Sequence, residues 1–388
     1  CSYPSTRLAS NSTRLIIGNN MKTLPLFLTF LFVLNGFLGF SQTKSIKQTF
    51  APDSRVALFD VTFDGQLAKG VTTIAAAKTA FLDSLKQSNT HFQDAIRVLP
   101  DEVIGEKKRG IIHISVANIR SKPQESAELA SQALLGMEVL ILDKERGWLL
   151  VQTPDKYIGW TDELGITRLT EDEYKHYQQK EKFLFEQGYG FAYTEPTNKS
   201  LPVSDLTWGN VLESTGIQKK GFRQVRFPDG RLAWVESTSL QKHTGWQPRA
   251  KPDVAELEKQ AKQMMGIPYL WGGTSWKGVD CSGFTRMIYL SQGILLPRDA
   301  SQQVAEGQLI ATKIDEFSKL EKGDLLFFGR ITPEGQEKVT HVGMWLGDNQ
   351  FIHSSGLVRI ASMDANSPVY DAFNKNRFLR AKRILPMP

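Results

Sequence analysis

A fourteen-residue segment in the middle of the chain occurs twice, and this duplication limits the possible folds more than any other feature. The two copies are GWLLVQTPDKYIGW at residues 147–160 and GFRQVRFPDGRLAW at residues 221–234, aligned without gaps 74 positions apart. Each copy contains a strand-like stretch, a Pro-Asp pair and a second stretch that ends in tryptophan, which is typical of a β-hairpin. The duplication therefore predicts two small antiparallel barrels.

The barrels are expected at residues 108–168 and 188–243, because further short strand-like stretches precede each hairpin. The charged segment between them, residues 169–186, is helix-like. Trp160 and Trp234, which end the two copies, are expected to fill the cores of the barrels.

An N-terminal α/β region is expected ahead of the barrels, at residues 45–107. Residues 56–64 alternate apolar and polar side chains, which predicts a strand, and the segment from Val71 to about Phe92 is rich in alanine and leucine, which predicts a helix. No chemistry is suggested for this region.

The last domain is expected at residues 253–388, after a stiff proline-containing linker at residues 247–252. Asp253, with Glu256 three positions later, predicts a helix that begins with a capping box. With 388 residues and 41% hydrophobic content, the chain is long enough for two to four domains with packed cores.

The N-terminal stretch is interpreted as an export signal. Residues 24–40 carry no charge and end near small residues, which is typical of a signal peptide at residues 21–41. Residues 1–20 are then upstream translated sequence. The alternative is a membrane anchor, although a spanning helix needs about 20 apolar residues and Pro25 interrupts this stretch. Since no cysteine follows it, a lipoprotein is not expected, and the predicted location is periplasmic or secreted.

The charge balance is mild. The 47 basic and 41 acidic residues give a net charge of +6, which falls to +3 without Arg7, Arg14 and Lys22. A chain with so small an excess and no basic run is not expected to bind nucleic acid as its main partner. After removal of the signal, no stable membrane insertion is expected.

Cys281 is a candidate nucleophile. It is the only cysteine beyond the predicted export signal, so it has no partner for a disulfide in an oxidising compartment. Asp280 is placed to cap a helix from Cys281 to about Leu290, which puts the thiol in the first helical turn. There the free N–H groups and the helix dipole are expected to lower the thiol pKa and to stabilise a developing oxyanion.

Two histidines follow Cys281 on consecutive predicted strands. A three-residue turn at Gly347-Asp348-Asn349 sets His353 opposite Gly343 and puts both imidazoles, those of His341 and His353, on one face of the sheet. His341 is therefore predicted to be the general base and acid, and His353 the group that orients it.

Two other interpretations of these residues stay open. Cys281 can be an inert buried cysteine, and His353 a histidine packed in a hairpin. A metal site is disfavoured, because one cysteine and two histidines lack the close ligand spacing of zinc motifs. No metal or cofactor is expected.

The motifs of the last domain resemble those of the NlpC-type papain-like cell-wall cysteine peptidases. They are YLWGG at residues 269–273, DCSGF at 280–284, GDLLFF at 323–328, HVGMWLG at 341–347 and the later His353. The barrels likewise resemble bacterial SH3-type domains. The resemblance implies an α+β chain in which two SH3-like barrels precede a papain-like domain with a helix bundle and an antiparallel sheet.

The resemblance also implies roles for individual residues in substrate binding. Tyr269, Asp280 and Ser282 are expected beside the nucleophile, and Asp299 is expected to receive a free substrate amine. Two residues of the first barrel are expected to contact the same amine, and the alternative for both is a surface role; they are Glu128 and Tyr157. The chain departs from the family pattern at Ala300, and Arg298 is expected to bind substrate or to be structural.

The function implied is hydrolysis of the γ-D-glutamyl to L-diamino acid bond of murein stem peptides with a free N-terminal L-Ala. The expected partners are therefore peptidoglycan fragments. One alternative is a cell-wall binding protein without catalysis, and another is a thiol amidase or acyltransferase that acts on a different amide.

Overall fold

The computed structural model describes residues 41–88, 91–246 and 253–385. The predicted linker at residues 247–252, the predicted upstream sequence, and all but the last residue of the predicted signal peptide lie outside the described residues. Within the described part of the chain, no helix is long and apolar enough to cross a membrane.

The N-terminal region is a three-stranded sheet with one long helix. Residues 41–50 are helical, and the elements that follow are β1 (Phe59–Phe63), β2 (Leu67–Thr72), α1 (Ala75–Gln87) and β3 (Gln93–Val98). Strand β2 pairs antiparallel with β1 and parallel with β3. Helix α1 buries Ala77, Phe81 and Leu85, which lie four residues apart on one face.

The predicted helix from Val71 to about Phe92 is wrong at both ends. Val71 and Thr72 belong to β2, where Val71 pairs with Asp60 of β1. The Thr72 hydroxyl donates to the carbonyl of Leu58 at 2.8 Å, and β-branched side chains favour this extended backbone. The helix begins three residues after Thr72 and ends at Gln87.

Two seven-stranded antiparallel sheets follow, joined by a short helix, α2 (Glu171–Gln178). The first sheet consists of β4 (Arg109–Ile112), β5 (Val116–Arg120), β6 (Leu129–Leu134), β7 (Glu138–Glu145), β8 (Trp148–Gln152), β9 (Ile158–Asp162) and β10 (Ile166–Leu169). The second consists of β11 (Lys182–Phe185), β12 (Tyr189–Tyr193), β13 (Pro202–Thr207), β14 (Val211–Lys219), β15 (Phe222–Arg226), β16 (Leu232–Glu236) and β17 (Leu240–His243).

The two sheets have the same strand order. The first runs β10-β4-β7-β8-β9-β5-β6, and the second, read from the β17 edge, runs β17-β11-β14-β15-β16-β12-β13. Each strand of the second sheet therefore occupies the position of the strand seven places earlier in the chain. The repeated sequence segments are the hairpins β8–β9 and β15–β16, as the duplication predicts.

The second sheet begins earlier than the predicted boundary at residue 188. Strand β11 pairs with β14 and β17, and two of its aromatic side chains, Phe183 and Phe185, are buried in the sheet core. The segment 169–186 thus contains a helix and then a strand.

The sequence predicted that the two hairpin tryptophans fill the cores of the barrels, and this prediction is wrong. Side chains alternate between the faces of a strand, so Ala233 and Val235 point into the second core while Trp234 lies half-buried on the outer face. Trp160 is likewise half-buried, and it packs against Leu142 and Leu150 on the face nearest the N-terminal region.

The last domain is a six-stranded antiparallel sheet with helices against it, in the order β20-β25-β21-β22-β23-β24. Its elements are α3 (Val254–Gln263), β18 (Thr274–Ser275), β19 (Gly278–Val279), α4 (Cys281–Leu290), α5 (Ala300–Gln303), β20 (Gln308–Ala311), β21 (Leu325–Ile331), β22 (Glu337–Gly347), β23 (Gln350–Ser355), β24 (Leu357–Ser362), α6 (Ala372–Lys375) and β25 (Phe378–Arg383). Two of the four helices have ten residues and two have four, so the predicted helix bundle stays a prediction.

Helix α4 is the centre of this domain. All ten of its residues are buried, and Phe284 and Ile288 pack against Val342 and Met344 of β22. The same cluster contains Leu134 of the first sheet, so the first sheet and the last domain share a core.

One glycine makes the approach between the first sheet and the last domain possible. Gly272 has a positive φ of 80°, and a Cβ atom there would lie 2.2 Å from the carbonyl oxygen of Leu129. Such a distance is a steric clash, so only glycine fits. The contact brings the YLWGG segment against β6.

Candidate active site

Cys281 is the first residue of α4, where the sequence predicted it. Asp280 is the N-cap, and its carboxylate accepts a hydrogen bond from the N–H of Gly283 at 2.7 Å. The sulfur therefore lies at the end of the helix that carries unpaired N–H groups. The side chain is 8% exposed, and Cys281 is the only cysteine in the described ranges.

The predicted lowering of the thiol pKa is wrong for this structure. Burial, with a smaller contribution from the Asp280 carboxylate, raises the pKa of the Cys281 thiol to about 12. The N–H groups of Val342 and Ser282 act in the opposite direction, but removal of the sulfur from water outweighs them. At neutral pH the proton is on the sulfur and must pass to a base when the sulfur attacks.

His341 and His353 lie on neighbouring strands and contact each other. Nε2 of His341 is 2.8 Å from Nδ1 of His353, and both side chains are buried. His341 precedes Val342, whose N–H faces the Cys281 sulfur, so the backbone at His341 lies next to the thiol. The sequence thus predicted correctly that the two imidazoles share one face of the sheet.

The predicted turn is wrong by one residue, although the register at the histidines is right. Asp348 and Asn349 have φ values of 50° and 57° and form a two-residue turn, so Gly347 pairs with Gln350. A bulge between Trp345 and Gly347 restores the predicted alignment further along the hairpin, where Trp345 pairs with Phe351 and Met344 with Ile352.

The environment of the histidines keeps both of them neutral. Burial and the neighbouring imidazole hold the pKa of His341 well below its usual value, and burial lowers the pKa of His353 to about 4. Nε2 of His353 lies 3.9 Å from the carboxylate of Asp371 and 3.4 Å from Nε of Arg359. An acceptor and a donor therefore face the same nitrogen, and sequence reasoning identified neither.

A pocket of about 390 Å³ opens beside Cys281. Its lining includes six residues that the sequence singled out: Glu128, Tyr157, Asp280, Cys281, Ser282 and Asp299. Tyr269 is half-buried, and burial, with a smaller contribution from Cys281, raises the pKa of its hydroxyl to about 12. The structure thus brings six predicted residues, from two modules, to one pocket, and its lining does not include Tyr269, His341 or His353.

The acidic end of the pocket is built by both modules. Trp271 of the last domain donates its indole N–H to the carboxylate of Glu128 in the first barrel at 2.7 Å. Tyr157 is 7% exposed, and burial followed by the charge of Asp299 raises the pKa of its hydroxyl to about 12. Glu128 and Tyr157 are therefore pocket residues.

Asp280 is occupied by protein donors. Its two oxygens accept hydrogen bonds from both terminal nitrogens of Arg298, at 3.1 and 2.5 Å, and from the N–H of Gly272 at 3.0 Å. Arg298 also donates to the hydroxyl of Ser282 at 3.0 Å and is 1% exposed. This network fixes the first turn of α4, and it gives Arg298 a structural role.

Arg55 is a pocket residue that the sequence did not predict. It comes from the N-terminal region and donates to the carboxylate of Asp299 at 2.8 Å and to the hydroxyl of Ser301 at 2.9 Å. Nothing in the sequence around Arg55 signals this contact, since the residues are more than 240 positions apart.

Another cavity, of about 590 Å³, lies between the two sheets and the last domain, and its lining includes Lys182, His243 and Trp246. None of the predicted catalytic residues lines it. Among the described residues, no group of three or more His, Cys, Asp or Glu side chains is arranged to hold a metal ion.

Comparison with known proteins is consistent with this site. The model of the NlpC/P60 family matches residues 266–383, and that of the bacterial dipeptidyl-peptidase Sh3 domain matches residues 119–163. The γ-D-glutamyl-L-lysine dipeptidyl-peptidase of Bacillus cereus (strain ATCC 10987 / NRS 248) is 34% identical over 67% of this chain and 76% of its own length. Dipeptidyl-peptidase 6 of Lysinibacillus sphaericus is 29% identical over 67% of this chain and 93% of its own length.

A solved structure agrees with the sequence matches. The crystal structure of an NlpC/P60 family protein from Bacillus cereus ATCC 10987 covers 72% of this chain and 100% of its own, with a TM-score of 0.60 and 27% identity. The fold and these likenesses define a cysteine peptidase with a papain-like catalytic domain. More narrowly, the chain belongs to the NlpC/P60 family, and an SH3 domain precedes its catalytic domain.

Proposed function

We propose that this peptidase hydrolyses the γ-D-glutamyl to L-diamino acid bond of murein stem peptides whose N-terminal L-Ala amine is free. The observation that carries the proposal is that one pocket is lined by Cys281 and by two carboxylate residues, Glu128 and Asp299. The names of relatives, which include γ-D-glutamyl-L-lysine dipeptidyl-peptidases, support this choice of bond.

The chemistry proposed for the site starts from a neutral thiol and neutral imidazoles. The Cys281 sulfur attacks the γ-carbonyl carbon of D-Glu while its proton passes to His341, and His353 orients that imidazole. The carbonyl oxygen becomes an oxyanion that the N–H groups at the start of α4 stabilise, with Tyr269 and Ser282 beside it.

The second half of the reaction regenerates the enzyme. His341 gives its proton to the amine of the diamino acid as the C–N bond breaks, which leaves a thioester between Cys281 and the dipeptide. Water then attacks the thioester, His341 accepts a proton from it, and L-Ala-D-Glu leaves as the thiol is restored. Asp280 acts on the placement of Cys281 rather than on the substrate.

The acidic end of the pocket supports selection of a free amine. Asp299 and Glu128 offer carboxylate oxygens to an N-terminal ammonium, and Tyr157 offers a hydroxyl. An acetylated amine has no positive charge, so the carboxylates would be left without a cationic partner. Small stem peptides are therefore the proposed substrates, in preference to intact cross-linked wall.

The proposed arrangement along the chain follows the predicted boundaries, with the start of the second barrel moved to Lys182. Residues 45–107 are the N-terminal region, and residues 253–388 are the catalytic domain. The second barrel is proposed to be SH3-type like the first, because both sheets have the same strand order. Export to the periplasm or the medium, directed by the signal peptide, would bring the enzyme to murein fragments.

The test is digestion of two synthetic peptides, L-Ala-γ-D-Glu-L-Lys and its N-acetylated form, each also made with meso-diaminopimelate. We expect mass spectrometry to detect L-Ala-D-Glu from the free peptides, with kcat/KM at least about tenfold lower for the acetylated forms, a difference of about 1.4 kcal/mol. Cys281→Ala is the control and should release no product. Absence of L-Ala-D-Glu with the wild-type enzyme, or its release by Cys281→Ala, would contradict the proposal.

A further inference from the structure

The N-terminal region reaches the amine end of the pocket through one side chain. Nη1 of Arg55 is 2.8 Å from Oδ2 of Asp299 and 2.9 Å from the hydroxyl of Ser301, and Arg55 lines the pocket together with Tyr157. The comparison with the Bacillus cereus structure covers 72% of this chain, which leaves more than a quarter of the chain outside it.

Arg55 is held in place from its own side of the contact. Asp53 accepts hydrogen bonds from its Nε and Nη2, both at 2.8 Å, and such a two-point pair fixes the plane of the guanidinium group. The amide of Gln302 also donates to Oδ2 of Asp53, at 2.8 Å. The guanidinium group therefore bridges Asp53 and Asp299 in a fixed orientation.

The backbone around Arg55 is attached to the first barrel. The N–H of Ile158 donates to the carbonyl of Arg55 at 2.7 Å, and the side-chain amide of Gln152 donates to the carbonyl of Val56 at 3.0 Å. Both partners belong to the repeated hairpin that carries Tyr157. The segment is thus held by the first barrel and the catalytic domain together, which is unlike a lid that opens and closes.

The charges at this end still favour an ammonium group. The negative charge of Asp53 balances the positive charge of Arg55. The carboxylates of Asp299 and Glu128 therefore leave an excess of negative charge that can attract a substrate ammonium group. Arg55 takes one oxygen of Asp299, and the other lies 4.0 Å from the nearest nitrogen of Arg298, beyond hydrogen-bond distance. Asp299 lines the pocket, and its second oxygen makes no hydrogen bond to Arg298.

We propose that Arg55 is a specificity-determining residue that the N-terminal region adds to the site. It fixes Asp299 in the orientation that receives the substrate amine, and its side chain occupies the space into which a residue preceding L-Ala would extend. The inference rests on the proposed function and deepens it, because it explains how the acyl side of the substrate is limited to two residues.

The test compares L-Ala-γ-D-Glu-L-Lys with Gly-L-Ala-γ-D-Glu-L-Lys, which is one residue longer. We expect Arg55→Ala to lower the ratio of kcat/KM for the shorter peptide to that for the longer one by about tenfold, which corresponds to about 1.4 kcal/mol. The loss for the shorter peptide should appear in KM rather than in kcat. Arg55→Lys, which keeps the positive charge next to Asp299, should restore part of the ratio.

Arg97→Ala is the matched control. Arg97 belongs to the same N-terminal region, is similarly exposed and is also paired with two carboxylates, Asp101 and Asp143, but it does not line the pocket. Because both peptides are measured on the same enzyme, the ratio does not depend on the folded fraction. An unchanged ratio in Arg55→Ala, or an equal change in Arg97→Ala, would overturn the inference.

A second measurement separates this inference from the proposed function. Calorimetric titration of the dipeptide L-Ala-γ-D-Glu into the Cys281→Ala enzyme reports amine recognition without hydrolysis. Weaker binding by about tenfold when Arg55→Ala is added supports the role of Arg55, even if the wild-type enzyme cleaves neither peptide. Equal binding with and without Arg55→Ala, or no binding at all, contradicts it.

Discussion

The buried ion pair between Arg286 and Asp155 gives the sharpest test of how the first barrel is attached. Nη2 of Arg286, in helix α4, lies 2.9 Å from the carboxylate of Asp155 at the tip of the repeated hairpin, and the side chains are 4% and 2% exposed. At this distance the attraction is about 6 kcal/mol for an effective dielectric constant of about 20. Much of it offsets the cost of removing both charges from water.

Asp155→Asn removes one charge and keeps the shape. The hydroxyl of Thr153, which donates to Asp155, retains an acceptor in the variant. Arg286 then stays charged and buried without its partner, because its pKa is lowered by burial but a guanidinium group does not lose its proton near neutral pH. The expected loss is about 3–5 kcal/mol in the free energy of unfolding.

The assay is guanidinium chloride unfolding of Asp155→Asn, Arg286→Met and the double variant, with kcat/KM measured in parallel. The double variant should lose about 2 kcal/mol less than the sum of the two single losses, since it leaves no unpaired charge. Asp83→Asn, which breaks the exposed pair with Lys86, is the control and should cost less than about 1 kcal/mol.

The reasoning about the buried pair fails if Asp155→Asn costs no more than Asp83→Asn, or if the two single losses simply add. Activity provides an independent check. Tyr157 follows Asp155 by two residues and lines the pocket, so a displaced hairpin should raise KM for the free peptide.

Two further predictions concern the histidines. The pKa of His353 is about 4 in the folded chain against 6.5 for an ordinary histidine, so between these values the unfolded chain binds a proton that the folded chain does not. The contribution of His353 to the free energy of unfolding is therefore fully present above about pH 6.5, and it falls by about 2 kcal/mol between pH 7 and pH 5. Denaturation curves of His353→Asn should show a weaker pH dependence than those of the wild-type chain. Asp371→Asn keeps the cap of α6 but removes the charge 3.9 Å from His353, which favours a proton on Nε2. We expect kcat to fall about tenfold with little change in KM, and an unchanged kcat would show that Asp371 does not orient His353.

The proposed catalytic residues were the part of the site that sequence reasoning located best. Cys281 at a helix start, and His341 and His353 on one face of a hairpin, follow from local rules of capping and strand alternation. The bulge that replaced the predicted turn did not matter, because it lies between the turn and the histidines.

The contacts between modules could not be found in the same way. The pairing of Trp271 with Glu128, and that of Arg55 with Asp299, join residues that are 143 and 244 positions apart. They depend on how whole modules dock, and neither periodicity nor motif spacing records that docking. The thiol pKa was missed for a related reason, because the degree of burial of Cys281 is set by the packing of the complete domain.

The repeated hairpin shows how one structural unit can serve two attachments. In the first copy, Asp155 at the tip binds Arg286 of the catalytic helix. In the second copy, the equivalent Asp229 binds Arg231 of its own hairpin at 2.6 Å, and Arg231 donates to the backbone carbonyl of His113 in the first barrel at 2.9 Å. The two sheets are alike in strand order but differ at these hairpin tips: the tip of the second copy bonds to the first sheet, and the tip of the first copy bonds to the catalytic domain. One repeated element thus forms both junctions, that between the two sheets and that between the first sheet and helix α4.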